Sequence, residues 1–358
     1  MTEEKICQFI GSRDMTVVDA MAQIDKNASG VLFIADDRRR LVGCLTDGDI
    51  RRWLIRTGDL KAAVECAMTA SPVSIGEAET GRARDILRRK KITALPVVGV
   101  QGELLDIIRR ADFEKSGEET KKSSLADVPV VVMAGGKGTR LYPYTKILPK
   151  PLIPIGDTPI VERVMKGYAD YGIHRFFLTV NYKKEMIRSY FSEGDFSYDI
   201  TYVEETKPLG TGGSLKLIEQ RFDRPLFVTN CDTLILTDYH EVYDFHIKNN
   251  NWITMVAAVK NITIPYGVVH TKENGELVSM EEKPKISYMI NTGMYVINPQ
   301  VIEDIPDDCL FHMTHLVDKV RANGQKVGVY PVSEDSFLDM GEFGEMHRME
   351  EKLRVSEE

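Results

Sequence analysis

Residues 129–134 read Pro-Val-Val-Val-Met-Ala, an unbroken apolar run. A strand covered on both faces needs no alternation of apolar and polar positions, so this run predicts a buried central strand of an α/β sheet. Four more stretches carry a comparable strand signal, at residues 175–180, 226–229, 253–259 and 294–297. Helical stretches lie between them. Such alternation predicts a doubly wound α/β domain whose ligand lies beyond the carboxyl ends of the strands.

The first 115 residues carry a different pattern, a weak internal repeat. Residues 31–37 and 41–50 form one copy, and residues 95–100 and 103–113 form the other. Each copy predicts an apolar strand, a polar turn, a second apolar strand and then a helix, with a helical pattern before it at 18–24 or 83–87. Two short strands cannot hide an apolar face alone, so the copies are expected to pack on one another. Residues 115–124 contain no apolar side chain and read as a linker.

Composition narrows the setting. A chain of 358 residues suggests about two domains. Its five cysteines are scattered, with no Cys-x-x-Cys pair, which excludes a disulfide scaffold and a cysteine zinc site and fits a reducing compartment. The net charge of −8 argues against a nonspecific nucleic-acid binder. The start, Met-Thr-Glu-Glu-Lys, is wrong for a signal peptide, and no apolar run approaches the roughly 20 residues of a membrane span. The expected location is the cytoplasm, with neither nucleic acid nor membrane as a partner.

The candidate chemistry begins where the first α/β strand ends, in Ala134-Gly135-Gly136-Lys137-Gly138-Thr139-Arg140-Leu141. Three glycines in four positions let a backbone approach a ligand closely, and successive N–H groups can face phosphate oxygens. Gly138 is not followed by Lys-Ser or Lys-Thr, so this is not a P-loop, and the third glycine of a dinucleotide fingerprint is missing. The plain alternative is a glycine-rich turn with solvated cations. Ten residues after Arg140, Pro149-Lys150-Pro151 is expected to hold Lys150 on a stiff, extended segment, where a cation can meet a phosphate in fixed geometry.

Together, the glycine loop, Arg140 and the Pro-Lys-Pro clamp resemble the signature of the sugar-1-phosphate nucleotidyltransferases, over about residues 128–350. The resemblance implies a Rossmann-like doubly wound mixed sheet, the nucleotide-diphospho-sugar transferase fold. It also implies that the loop, Ala134, Gly135, Gly136, Gly138 and Thr139, holds the nucleotide. Arg140 would grip the departing phosphates and Lys150 the α-phosphate. Residues 204–214, Glu-Glu-Thr-Lys-Pro-Leu-Gly-Thr-Gly-Gly-Ser, resemble the base-reading segment, with Glu205 and Gly210 at the base and a helix expected after Gly213. Their Leu-Gly-Thr-Gly-Gly wording is most similar to guanylyltransferase members. Asp232 and Asp339 match the family's Mg²⁺ ligands, although a strand-end Asp taken singly is more often a turn former or a cap. Cys231 stands where the family usually has Gly or Ala and reads as a packing residue. Tyr266-Gly267, Glu282-Lys283-Pro284 and Asn291-Thr292-Gly293 match segments around the hexose. The implied contacts are Lys283 to the sugar phosphate, Glu282 and Asn291 to hydroxyls, and the Gly267 backbone to the ring.

The repeat resembles a tandem pair of CBS domains. The implied organisation is a CBS pair over 1–115, a linker over 116–126 and a nucleotidyltransferase domain over 127–358. Thr46 and Asp49 are then candidates for the ribose of an adenine nucleotide. In the second copy Arg109 replaces the expected hydroxyl and Asp106 the glycine. A ligand-free dimerising module is the alternative, and such modules pair, so a homodimer is an expected assembly. His312 and His315 are spaced like helical metal ligands but lie near no other ligand cluster, which favours surface or supporting roles.

The implied reaction is NTP plus sugar 1-phosphate giving NDP-sugar plus pyrophosphate, with GTP as the expected nucleotide. The layout resembles the glucosamine-1-phosphate guanylyltransferases of legionaminic acid biosynthesis, which makes glucosamine 1-phosphate the expected sugar. Uridylyl or thymidylyl transfer, a mannose- or heptose-1-phosphate guanylyltransferase, and a non-catalytic nucleotide sensor are the alternatives.

Overall fold

A computed structural model describes residues 6–27, 29–113, 125–194, 196–341 and 343–357. Residues 115–124, read above as a linker, lie outside the described residues. Two compact units emerge. The first takes in the described residues of Met1–Thr120 together with Val259–Ile290 and Ser333–Asp335; the second takes in those of Lys121–Ala258, Asn291–Val332 and Ser336–Glu358.

In the first unit the repeat is visible as two matching hairpins. Val31–Ala35 pairs antiparallel with Leu41–Thr46, and Ala94–Val98 pairs antiparallel with Leu104–Arg109. The register of each hairpin shifts one residue before the end of its first strand, at Ile34/Ala35 and at Val97/Val98. Val31, Phe33, Ala94, Leu104 and Ile107 share one buried cluster, so the copies do pack on one another. Helix Val17–Asn27 buries Val17, Ala20, Met21 and Ile24, the three- and four-residue spacing of one helix face. Helix Asp47–Thr57 starts at a capping box between Thr46 and Asp49 and stops at Gly58, which adopts a left-handed conformation. After the second hairpin the chain makes a 3₁₀ turn at Arg110–Asp112, where the repeat predicts a helix. Val259 belongs to this unit's core, buried with Val17, Ile24, Leu45 and Leu54.

The second unit is built on a seven-stranded sheet, of which residues 259–263, 285–290 and 333 count with the first unit. Its strand order is Asp199–Glu204, Arg175–Val180, Val130–Met133, Leu226–Asn230, Lys285–Ile297, Ile253–Thr263 and Val327–Ser333. The first four run parallel, and Leu226–Asn230 meets Lys285–Ile297 antiparallel. Every residue of Val130–Met133 is buried, as the apolar run requires. Residues 133, 177, 203, 215, 228 and 295 are among those forming the core against helix Met313–Ala322. At the back of helix Tyr239–Lys248, buried His246 bonds Thr254 Oγ1 at 2.9 Å and Asn298 Oδ1 at 3.1 Å, tying the helix to the sheet.

One small ladder matters most for the site. Thr233–Ile235 pairs antiparallel with Phe337–Asp339, and the Met340 amide donates to the Asp232 carbonyl at 2.9 Å. Two segments distant in sequence are thereby locked side by side at the end of the central strands. No helix among the described residues is long and apolar enough to cross a membrane.

Candidate active site

The glycine loop leaves the strand Val130–Met133 at the carboxyl end of the sheet, where a doubly wound fold opens its crevice. Ala134 stays in the sheet: it is buried, and its amide donates to the Thr179 carbonyl at 3.0 Å. From Gly135 onward the chain lines a cavity of about 480 Å³. Gly136, Gly138, Thr139 and Arg140 line it too, with Lys150, Glu205, Gly210, Cys231 and Asp232 facing them.

Two glycines have specific reasons. A Cβ on Gly135 would lie 2.6 Å from Glu205 Oε1, so only glycine lets that carboxylate sit over the loop. Gly138 has φ +63°, and a Cβ there would meet Thr145 Cγ2 at 2.9 Å and Lys150 Cβ at 3.0 Å. The loop therefore packs against the stem of Lys150. Thr145 Oγ1 donates to the Gly138 carbonyl at 2.9 Å, and Tyr182 donates to the Thr145 carbonyl at 3.1 Å, which fixes this arrangement.

Lys150 is positioned differently from the sequence expectation. Pro149 is extended, but Lys150–Leu152 forms a 3₁₀ turn, with the Leu152 amide on the Pro149 carbonyl and the Ile153 amide on the Lys150 carbonyl. Pro151 is compatible with such a turn because its missing N–H falls among the first positions, which have no intrahelical partner. The lysine is thus aimed by a tight turn rather than by an extended strap. Its Nζ bonds the Asp232 carboxylate directly.

Glu205 follows the strand Asp199–Glu204, its amide on the Val180 carbonyl. Asn181 Nδ2 donates to the Glu205 carbonyl at 2.8 Å, and the Leu209 amide donates to Glu205 Oε2 at 3.3 Å. A helical turn begins at Gly210 itself, spanning Gly210–Gly213, earlier than the start after Gly213 that the sequence suggested. Gly210 sits at φ +78°, and a Cβ there would meet the Phe311 carbonyl at 2.7 Å. The amides of Gly212 and Gly213 both donate to that same carbonyl. This backbone-to-backbone fit explains the glycine density better than a helix cap does.

A second cavity, of about 400 Å³, adjoins the first and shares Arg140, Thr211, Asn230, Asp232 and His312 with it. It adds Asp339, Asn291, Thr292, Gly293 and Tyr295. Asn291 Nδ2 donates to the Tyr295 hydroxyl at 2.5 Å, and its Oδ1 accepts from the Gly293 amide at 3.0 Å. His312 was the residue whose position the sequence least revealed. The sequence favoured a surface or supporting role, whereas its place on the wall common to both cavities depends on the loop 309–313 folding back over Gly210–Gly213.

Besides Glu205, the two cavities are lined by two acids, Asp232 and Asp339, and two cations, Lys150 and Arg140. Burial first, and then the neighbouring Asp232 carboxylate, hold Asp339 above the usual carboxylate range, while Lys150 and Arg140 pull it back. Two adjoining half-buried to buried carboxylates, oxygen donors only, fit a divalent cation. Among the described residues no group of three or more ligating side chains exists. Burial, reinforced by Asp232, pushes the Cys231 thiol up to about 12, so it is a packing group and not a nucleophile.

Three further candidate residues belong to the other unit. Gly267, Glu282 and Lys283 belong to the first unit, at the base of an exposed hairpin in which Val268–Thr271 pairs with Leu277–Glu281. A Cβ on Gly267 would come within 3.1 Å of Glu282 Oε2, so these two are neighbours. Lys283 is exposed and sits at φ +46°, a costly conformation for a side-chain-bearing residue. In the same unit Thr46 Oγ1 donates to Asp49 Oδ2 at 2.6 Å, and Asp49 Oδ1 accepts from Arg52. Arg109 donates twice to Asp112 Oδ1 in the second copy.

Residues 129–354 match the family model described as Nucleotidyl transferase, and residues 12–56 match the CBS domain model. The mannose-1-phosphate guanyltransferase of Yarrowia lipolytica is 37% identical over 183 residues, 48% of this chain and 50% of that protein. Its Saccharomyces cerevisiae counterpart is 36% identical over 184 residues, with the same shares. The chain therefore spans about half the length of the curated relatives it matches. Among solved structures, HddC from Yersinia pseudotuberculosis is similar at 26% identity with a TM-score of 0.49, over 63% of this chain and 99% of that one.

Proposed function

Since this chain belongs to the nucleotidyl transferase family, we propose that it is a guanylyltransferase that makes a GDP-sugar and pyrophosphate from GTP and a sugar 1-phosphate, with glucosamine 1-phosphate as the sugar substrate. The observation that carries the proposal is the convergence of the glycine loop, Arg140, Lys150 and Asp232 on one cavity whose shared wall leads to Asp339 and Asn291. The fungal relatives are guanyltransferases, which supports GTP. Their mannose-1-phosphate names favour a second reading, with mannose 1-phosphate as acceptor.

In this reading a phosphate oxygen of the sugar 1-phosphate attacks the α-phosphorus of GTP in line, and pyrophosphate departs opposite. The attacking oxygen is already anionic, so no general base is required. The barrier is the mutual repulsion of two polyanions, and catalysis is positioning plus charge neutralisation. Gly135, Gly136, Gly138 and Thr139 receive the nucleotide, with Glu205 and Gly210 at the guanine edge. Lys150 meets the α-phosphate and Arg140 the departing phosphates. Asp232 and Asp339 would hold Mg²⁺, which when bound supplies further neutralisation of phosphate charge. Asn291, Glu282 and the Gly267 backbone take the sugar, and Lys283 its phosphate. The reading extends to a CBS pair over 1–115, with Thr46 and Asp49 as ribose contacts of an adenine nucleotide, and to a cytoplasmic homodimer.

Pyrophosphate release with four NTPs and a panel of sugar 1-phosphates, with and without Mg²⁺, tests it. GTP with glucosamine 1-phosphate is expected to be the best pair. Lys150→Ala and Asp232→Ala are each expected to lower turnover at least 10²–10³-fold while leaving the far-UV circular dichroism unchanged. Near-normal turnover in either variant, or no release with any pair, defeats the proposal.

A further inference from the structure

Four charges meet at the junction of the two cavities: Asp232 and Asp339, Lys150 and Arg140. Lys150 Nζ bonds Asp232 Oδ2, and each of these side chains is only 12% exposed. A Cβ on Gly341 would lie 2.9 Å from Asp339 Oδ2 and 3.2 Å from an Arg140 guanidinium nitrogen, so this second acid and second cation share one small space. The cluster is electrically balanced. Yet the proposed reaction asks Lys150 to serve a phosphate and Asp232 to serve a divalent cation, and while the two neutralise each other neither offers its full charge to a ligand.

We propose that Lys150 and Asp232 form an exchangeable pair: a divalent cation on Asp232 releases the lysine to the nucleotide phosphate, so that metal and nucleotide bind with positive coupling through this one contact. The inference rests on the guanylyltransferase reading for its ligands. Removing a partner from a buried ion pair leaves an uncompensated charge, which is costly. A cation arriving alone displaces the Lys150 ammonium and leaves it without a counter-charge. A nucleotide arriving alone draws Lys150 away and leaves Asp232 without one. When both arrive, no charge is left unpaired. The coupling is therefore reciprocal, as linkage requires. Gly138 gives the exchange its physical form: the lysine stem is packed against the loop at Cβ and Cδ, so only the end of the side chain needs to swing.

The test is binding, not turnover, on the full chain. Mn²⁺ serves as the metal probe, titrated without nucleotide and followed by its paramagnetic resonance signal. Lys150→Met removes the competitor for Asp232, and Mn²⁺ is expected to bind about tenfold tighter than in the wild type, within the range common for coupled sites. Lys150→Gln repeats the measurement should the methionine variant not fold. In the reciprocal arm, GTP binding in EDTA is expected to be several-fold tighter in Asp232→Asn than in the wild type, because the lysine is no longer held. Equal or weaker Mn²⁺ binding in the lysine variants overturns the exchange, as does weaker GTP binding in Asp232→Asn. Wild-type pyrophosphate release separates the two ideas. An active wild type with no tightening sinks the exchange alone; an inactive wild type with tightening in both arms sinks the reaction and leaves the exchange standing.

Discussion

Asp339 carries the most informative electrostatics of any single residue. Its carboxyl is raised above 3.8 by burial and by Asp232. A group raised in the folded state contributes stability below its unfolded value and loses that contribution as pH rises through its folded value. At neutral pH without metal, the charged Asp339 therefore works against folding. Asp339→Asn is expected to raise the metal-free melting temperature at pH 7, by about 2–4 °C for each kcal/mol recovered, and the gain is expected to shrink as the pH approaches 4. Differential scanning calorimetry across that range in EDTA checks it, and an unchanged or lower melting temperature at pH 7 counts against the paired-acid account. The type of residue was legible from its motif. The effect of its environment was not, because Asp232 becomes its neighbour only through the ladder between Thr233–Ile235 and Phe337–Asp339.

Elements differ in how openly their sequences announce them. Val130–Met133 is short, buried and apolar, and Arg175–Val180 is short and buried from Phe176 onward, so their pattern alone predicts them. Lys150–Leu152 and Gly210–Gly213 were misjudged in conformation, since both are single turns held by contacts to other segments rather than by periodicity. Helix Tyr239–Lys248 shows what a concealed anchor does. His246 is depressed below 6.5 by burial, with its bond to Asn298 opposing the shift. Asn298 Oδ1 accepts from Nε2, which leaves Nδ1 to accept from the Thr254 hydroxyl, a neutral imidazole. The unfolded chain takes up the proton first, so this contribution is complete above pH 6.5 and declines as pH falls below it. His246→Gln is expected to flatten the acid side of the stability profile between pH 6.5 and 5, read as melting temperature against pH. An unaltered slope removes His246 as the source.

At the scale of the whole molecule, the grouping of residues does not follow the chain. Val259–Ile290 packs with the N-terminal repeat, Val259 in its core, Lys285 3.4 Å from Asp19, and Met289 alongside. Deleting residues 1–124 is therefore expected to uncover Val259 and Met289 and to give a fragment that melts lower and aggregates more readily than the full chain. Analytical size exclusion and a melting curve decide this, and a monodisperse fragment of unchanged melting temperature refutes it. By itself the sequence determined the local facts: the buried strands, the repeated hairpins, the glycine loop, and the residue types of the candidate site. These follow from side-chain period and backbone freedom, which act over a few residues. Only the tertiary structure decided that Lys150 rests on Asp232, that Asp339 joins them, that His312 walls both cavities, and that the 259–290 segment groups with the first unit. Those are contacts between residues far apart in the chain, and no local pattern encodes the distance between them.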